Sequence, residues 1–126
     1  MASISLELPA TPHAPARARE ALRELTAISG VPPDDRWRAE MIVTELVTNA
    51  VRHGPGGPVE LAIEAGGRGV RCEVVDPGPG IGHRALVLSE GSAESGRGLY
   101  IVDKLSDSWG VDNGASRVWF EVAARA

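Results

Sequence analysis

The sequence predicts an α+β fold, a two-layer sandwich in which a mixed, mostly antiparallel sheet carries its helices on one face. Three observations predict it. Short stretches of alternating apolar and polar residues stand at the start, in the middle and at the end of the chain, where they read as half-buried strands. Two longer segments with apolar residues at helical spacing separate the first strand from the rest. Glycine-bearing turns join the later strands into hairpins, which makes those pairings antiparallel. At 126 residues the chain suits one domain spanning 1–126 with a single core.

The elements follow in order. Ser3 to Leu8 alternates Ile4, Leu6 and Leu8 with polar neighbours, a short strand ended by Pro9, Pro12 and Pro15. From Ala14 to Ser29, the positions Ala18, Ala21, Leu22, Leu25 and Ile28 recur at helical spacing, and Gly30 supplies a C-terminal stop. Pro32, Pro33, Asp34 and Asp35 form a turn with an N-cap, opening a second helix that runs to His53. On a wheel of about 100° per residue, Ile42, Val43, Leu46, Val47 and Ala50 share one face, with Arg38, Glu45, Asn49 and Arg52 on the other.

Gly54 to Pro58 breaks that helix, and the strands Val59 to Ala65 and Val70 to Val75 follow, joined by Gly66-Gly67-Arg68-Gly69. Pro77 to Ser95 lacks sustained periodicity and is rich in Gly, Ser and Pro, so it reads as a mobile loop with one short helical turn near Arg84 to Leu88. A third helix begins around Gly98 and turns Leu99, Val102 and Leu105 inward. The last hairpin pairs Ser108 to Val111 with Arg117 to Ala123 across the Asp112-Asn113-Gly114 turn, and Val118, Phe120 and Val122 alternate along its second strand.

Composition narrows the function. Hydrophobic content of 43% and charged content of 24% exclude a largely disordered chain. A formal net charge of -4 argues against a nucleic-acid-binding surface. Cys72 is the single cysteine, so no internal disulfide forms, and it reads as a buried small hydrophobe. The N-terminus lacks a basic region followed by an apolar run, and no stretch approaches the roughly 18 apolar residues that span a bilayer. A cytoplasmic location away from the membrane is the expectation.

The chemistry concentrates in three segments. Glu45 and Asn49 lie one helical turn apart, so one helix face offers a general base and an oxygen ligand. Magnesium takes hard oxygen donors and completes its shell with waters and phosphates, which suits the Asn49 amide. Alone, this face reads more readily as a solvated polar surface. Asp76 closes a strand and is placed to accept a hydrogen bond from an exocyclic amino group such as adenine N6, while Gly78 and Gly80 let the backbone approach a base. Alone, Asp76-Pro77-Gly78 is also good turn chemistry. Gly96-Arg97-Gly98 precedes the third helix, whose first N–H groups attract phosphate, and Arg97 adds a charge-assisted contact. Their order and spacing together suit a nucleotide triphosphate held on Mg²⁺.

Other motifs fail. Gly78-Pro79-Gly80-Ile81-Gly82 has its third glycine one position early, and Pro79 removes a backbone donor, so it does not match a dinucleotide loop. There is no Walker A sequence and no eukaryotic protein-kinase signature. His13, His53 and His83 lack metal-site spacing with one another or with Cys72, and only His53 flanks the phosphate side.

In these segments the chain resembles the GHKL (Bergerat-fold) ATPase superfamily of gyrase, the heat-shock chaperone, histidine kinases and mismatch-repair protein. Glu45 to Asn49 resembles its N box, Asp76 to Gly80 its first glycine box and Gly96 to Leu99 its second. The compact bacterial anti-sigma factor serine/threonine kinase is the most similar form, through Glu-Leu-Val-Thr-Asn-Ala-x-Arg-His, Asp-x-Gly-x-Gly and Gly-Arg-Gly-Leu-x-Ile-Val. The resemblance implies Glu45 as catalytic base, Asn49 as Mg²⁺ ligand and Asp76 as adenine reader. It implies an ATP pocket lined by Asn49, Arg52, His53, Asp76, Gly78, Gly80, Ile81, Gly96, Arg97, Gly98, Leu99 and Ser116, with Pro77 to Ser95 as lid.

The family commonly has a threonine before a Val on the final strand, where this chain has Arg117 before Val118, preceded by Ser116. The resemblance further implies a homodimer that binds a sigma factor and phosphorylates a serine on an anti-anti-sigma (STAS-type) partner. A regulatory ATP-binding module with little kinase activity is the first alternative. A detached histidine kinase catalytic domain is the second, although only one strand and one helix precede the N-box helix, leaving little room for a phosphoacceptor segment.

Overall fold

The computed structural model describes residues 1–53, 56–76, 100–112 and 117–123, apart from the His53 side chain. Five strands and two long helices account for most of them: β1 (Ala2–Leu8), α1 (Ala14–Ile28), α2 (Pro33–His53), β2 (Val59–Gly66), β3 (Gly69–Val75), β4 (Ser108–Asp112) and β5 (Arg117–Ala123). Residues 100–105 are also helical. The expected start of that helix at Gly98, the loop Pro77 to Ser95 with its turn at Arg84 to Leu88, and the Asn113-Gly114 turn lie outside the described residues.

Each helix forms where its residues bury one stripe. Pro15 sits in the first turn of α1, where a backbone N–H has no helical partner to lose. Ala14, Ala18, Ala21, Leu22 and Leu25 go into the core, and Gly30 takes φ 72° just past the Ser29 C-cap, a conformation glycine adopts without a Cβ penalty. In α2, Asp34 and Asp35 occupy the first turn, where the helix dipole favours negative charge. The expected apolar face of Ile42, Val43, Leu46, Val47 and Ala50 is buried throughout. The two helices are also tied at their surface, by Arg23 to Glu40 at 2.7 Å and Arg19 to the Thr44 hydroxyl at 3.2 Å.

The sheet order is β1-β2-β3-β5-β4, and all four pairings are antiparallel. Register aligns apolar rows on one face. Ile63, Cys72 and Phe120 stand in one row and Leu61, Val74 and Val118 in another, all buried under the helices. Cys72 is a free thiol in that row, as expected of a small hydrophobe, and burial pushes its pKa up.

The other face is polar. Arg71 is 2.9 Å from Glu121 and 3.2 Å from Glu73, and its guanidinium lies 4.6 Å from the centre of the Trp119 ring. Gly110 pairs with Trp119. A Cβ at Gly110 would stand 2.8 Å from the indole nitrogen, so the glycine leaves room for the ring. One face is thus sealed by helices, and of the expected site residues Glu45, Asn49 and Asp76 fall on that side.

Candidate functional site

Residues of the candidate site come from α2 and from the end of β3. In α2, Glu45 is half-buried, and no hydrogen bond or ion pair among the described residues holds its carboxylate. Asn49, one turn further on, is 9% exposed, and its amide Nδ2 has no hydrogen-bond partner among the described residues. Leaving a buried amide unmatched costs about 1–3 kcal/mol. A position that carries this penalty in the isolated chain is suited to a ligand that removes it. Oxygen and nitrogen of an amide are assigned by such partners; the Asn49 nitrogen can donate to an anion and its oxygen can ligate a cation.

Asp76 follows β3 directly. The two-residue period of the strand carries Val70, Cys72 and Val74 into the core and points Asp76 to the same side. The residue is 1% exposed. A carboxylate so deep is rare in a protein interior. Because α2 packs against β3, the helix that carries Glu45 and Asn49 and the strand that leads to Asp76 belong to one layer contact. Arg52 is exposed on the last turn of α2, and His53 ends that helix.

Most of the remaining expected pocket, Gly78, Gly80, Ile81, Gly96, Arg97, Gly98, Leu99 and Ser116, lies outside the described residues. Arg117 is placed. It shares the open face with Trp119 and Glu121, and its Nε is 3.8 Å from Glu73 Oε2. Strand alternation thus points the arginine that replaces the usual threonine away from the side to which Asp76 turns. A depression of about 370 Å³ on the open face, lined in part by Ser5, Glu7, Ala62, Glu73 and Arg117, contains none of the candidate site residues.

Arg38 was legible in the sequence only as one more polar position on the outer face of α2. In the structure it is buried at 7% exposure. Its Nη2 donates to Asp35 Oδ1 at 2.6 Å and its Nη1 to the Leu105 carbonyl at 3.0 Å. The i, i+3 spacing of Asp35 and Arg38 was the available signal; the carbonyl from residue 105 had none.

No group of three or more His, Cys, Asp or Glu side chains among the described residues could hold a metal. No helix among the described residues is long and apolar enough to cross a membrane.

The profile of the histidine kinase-like ATPase domain matches residues 8–122. Among solved structures, the RsbU and RsbW domains of Rv1364c from Mycobacterium tuberculosis are similar in fold, with a TM-score of 0.70 and 22% identity over 99% of this chain. This chain spans 32% of the length of that one. No curated protein matches the sequence.

Proposed function

The chain belongs to the histidine kinase-like ATPase domain family, and from that premise we propose that it is an ATP-binding serine/threonine protein kinase of the anti-sigma-factor type. The observation that carries the reading is the α2 pair: a half-buried Glu45 with an unclaimed carboxylate one turn before a buried Asn49 with an unmatched amide. Asp76, buried on the helix side of the sheet, is the adenine reader in this proposal. The fold likeness to a chain bearing an RsbW domain supports the choice of kinase type.

In the proposed reaction the hydroxyl of a partner serine attacks the γ-phosphorus of ATP. A bond forms between the serine oxygen and phosphorus, the bond from the γ-phosphorus to the bridging β-γ oxygen breaks, and ADP leaves. Glu45 accepts the hydroxyl proton, since a carboxylate unclaimed by the protein is free to take it. Asn49 contributes one ligand to Mg²⁺, which supplies neutralisation of the phosphate charge when bound. Gly78, Gly80, Ile81, Gly96, Arg97, Gly98 and Leu99 complete the pocket, together with Arg52, His53 and Ser116. A sigma factor and an anti-anti-sigma protein are the proposed partners, with homodimerisation and a cytoplasmic setting as parts of the same proposal.

The test is calorimetric titration with Mg-ATP and Mg-GTP, followed by transfer of labelled phosphate to a co-purifying partner. Tighter binding of ATP, loss of most of that preference in Asp76→Ala, and label on a partner serine are the expected results. Equal affinity for ATP and GTP would refute the Asp76 assignment. A native chain that binds Mg-ATP and its partner yet transfers no phosphate would identify a regulatory binding module instead.

A further inference from the structure

A charged side chain at the far end of the site helix connects three elements. Arg38 stands on α2 two turns before Glu45; its two terminal nitrogens hydrogen-bond in two directions, two further carboxylates stand at ion-pair distance, and its Nε makes no hydrogen bond. From its own helix come Asp35 Oδ1 at 2.6 Å and Asp34 Oδ2 at 3.7 Å. From the far side come the Leu105 carbonyl at 3.0 Å and Asp107 Oδ2 at 3.6 Å.

The second direction matters because of what residues 105–107 end and begin. Leu105 closes the helical residues 100–105, and Ser106 caps that helix by donating its N–H and its hydroxyl to the Val102 carbonyl at 3.0 and 2.6 Å. Asp107 is pinned to β5: its N–H donates to the Glu121 carbonyl at 2.8 Å, and its Oδ2 accepts from the Ala123 N–H at 2.7 Å. Arg38 thus holds the rear end of the 100–105 helix, the start of β4 and the N-terminal half of α2 as one joint.

We infer that Arg38 is a positioning residue for triphosphate binding. It fixes the 100–105 helix, which follows Gly96-Arg97-Gly98-Leu99 in sequence, against the helix that carries Glu45 and Asn49. The inference rests on the ATP-binding reading above. Its geometry is directional: a planar guanidinium satisfies a carboxylate and a carbonyl at fixed angles, whereas a lysine offers a point charge without the fork. Asp76 follows β3, outside the joint, so contacts to the base are independent of it. Losing the joint should therefore weaken what the two helices hold together, the phosphates, and leave recognition of the base.

The experiment compares Mg-ATP and adenosine affinities in the full chain for the native protein, Arg38→Lys, Arg38→Met and the double variant Asp35→Asn/Arg38→Met. The double variant removes the buried carboxylate that Arg38→Met would leave without its partner. Thermal melts establish that each variant folds. Expected is a loss of about tenfold or more in Mg-ATP affinity for the double variant, with adenosine affinity within about twofold of native and Arg38→Lys intermediate, in the range of effects that small misplacements have on a site. Parallel loss of both affinities, or no change in either, would overturn the positioning role. So would unfolding of every variant, which would make Arg38 a determinant of the fold alone. A native chain that binds neither ligand would instead remove the ATP reading on which the inference stands.

Discussion

The two halves of α2 treat buried polar groups in opposite ways. In its N-terminal half, Arg38 donates through both terminal nitrogens, to Asp35 and to the Leu105 carbonyl, and only its Nε lacks a hydrogen bond, so the charge contributes to holding elements together. In its C-terminal half, Asn49 is as deeply placed, yet its amide nitrogen has no partner among the described residues, and the Glu45 carboxylate is likewise unclaimed. The first half commits both terminal nitrogens of its buried arginine to the fold, and in the proposed function the second half keeps its polar groups for a ligand. Burial alone does not distinguish a structural polar residue from a functional one; the state of its hydrogen bonds does.

That comparison breaks most sharply at Glu45. Glu45→Ala should lower phosphoryl transfer by about 10²–10⁴-fold, the contribution of a positioned base, while nucleotide affinity stays near native. Single-turnover transfer measured beside calorimetric affinity checks it. Full transfer retained, or affinity lost in parallel with transfer, would remove Glu45 from the role of base.

Stability should respond far more to a change in the first half than in the second. Arg38→Met leaves Asp35 buried without its cation and should destabilise the chain by about 3–5 kcal/mol. Asn49→Ala deletes an unmatched buried amide and should cost far less, within about 1 kcal/mol of native or on the stabilising side, while weakening Mg-dependent ATP binding. Urea melts of both variants give the comparison. An Asn49→Ala loss as large as that of Arg38→Met would show that Asn49 is structural too.

The two faces of the sheet offer a smaller test. Gly110→Ala places a methyl against the Trp119 indole on the open face, at a separation that real contacts do not reach, and should destabilise by about 1–3 kcal/mol. Nucleotide affinity should not change, because the site lies on the helix side. Coupled loss of affinity would contradict that separation.

The smallest effect concerns Cys72. Burial raises its thiol pKa above the ordinary value of 9.0, so the folded chain keeps a proton that the unfolded chain releases. The stabilisation this represents is complete below pH about 9 and declines as pH rises above it, with a slope of at most about 1.4 kcal/mol per pH unit. Cys72→Ala should flatten that slope in alkaline melts. The native thiol should also resist alkylation until the chain unfolds.

Much of the fold was legible in the sequence because its signals are local. Alternation in Val118, Phe120 and Val122 assigns one sheet face, helical spacing from Ile42 to Ala50 assigns one helix face, and Gly30 and Gly66 to Gly69 mark the stops and turns. The structure moved these boundaries by only one or two residues. The residues proposed for the nucleotide stood out in the sequence for a similar reason: the types and spacing of Glu45, Asn49 and Asp76 are contained in short runs. Tertiary structure decided what depends on residues distant in sequence. It alone inserted β5 between β3 and β4, sent Arg117 to Glu73 on the open face, and buried Arg38 against the carbonyl of Leu105, sixty-seven positions away. Sequence determines which face of an element is apolar, because that is a property of neighbours along the chain. Whether a polar residue on the other face is solvated, paired or left for a ligand depends on what the fold brings opposite it.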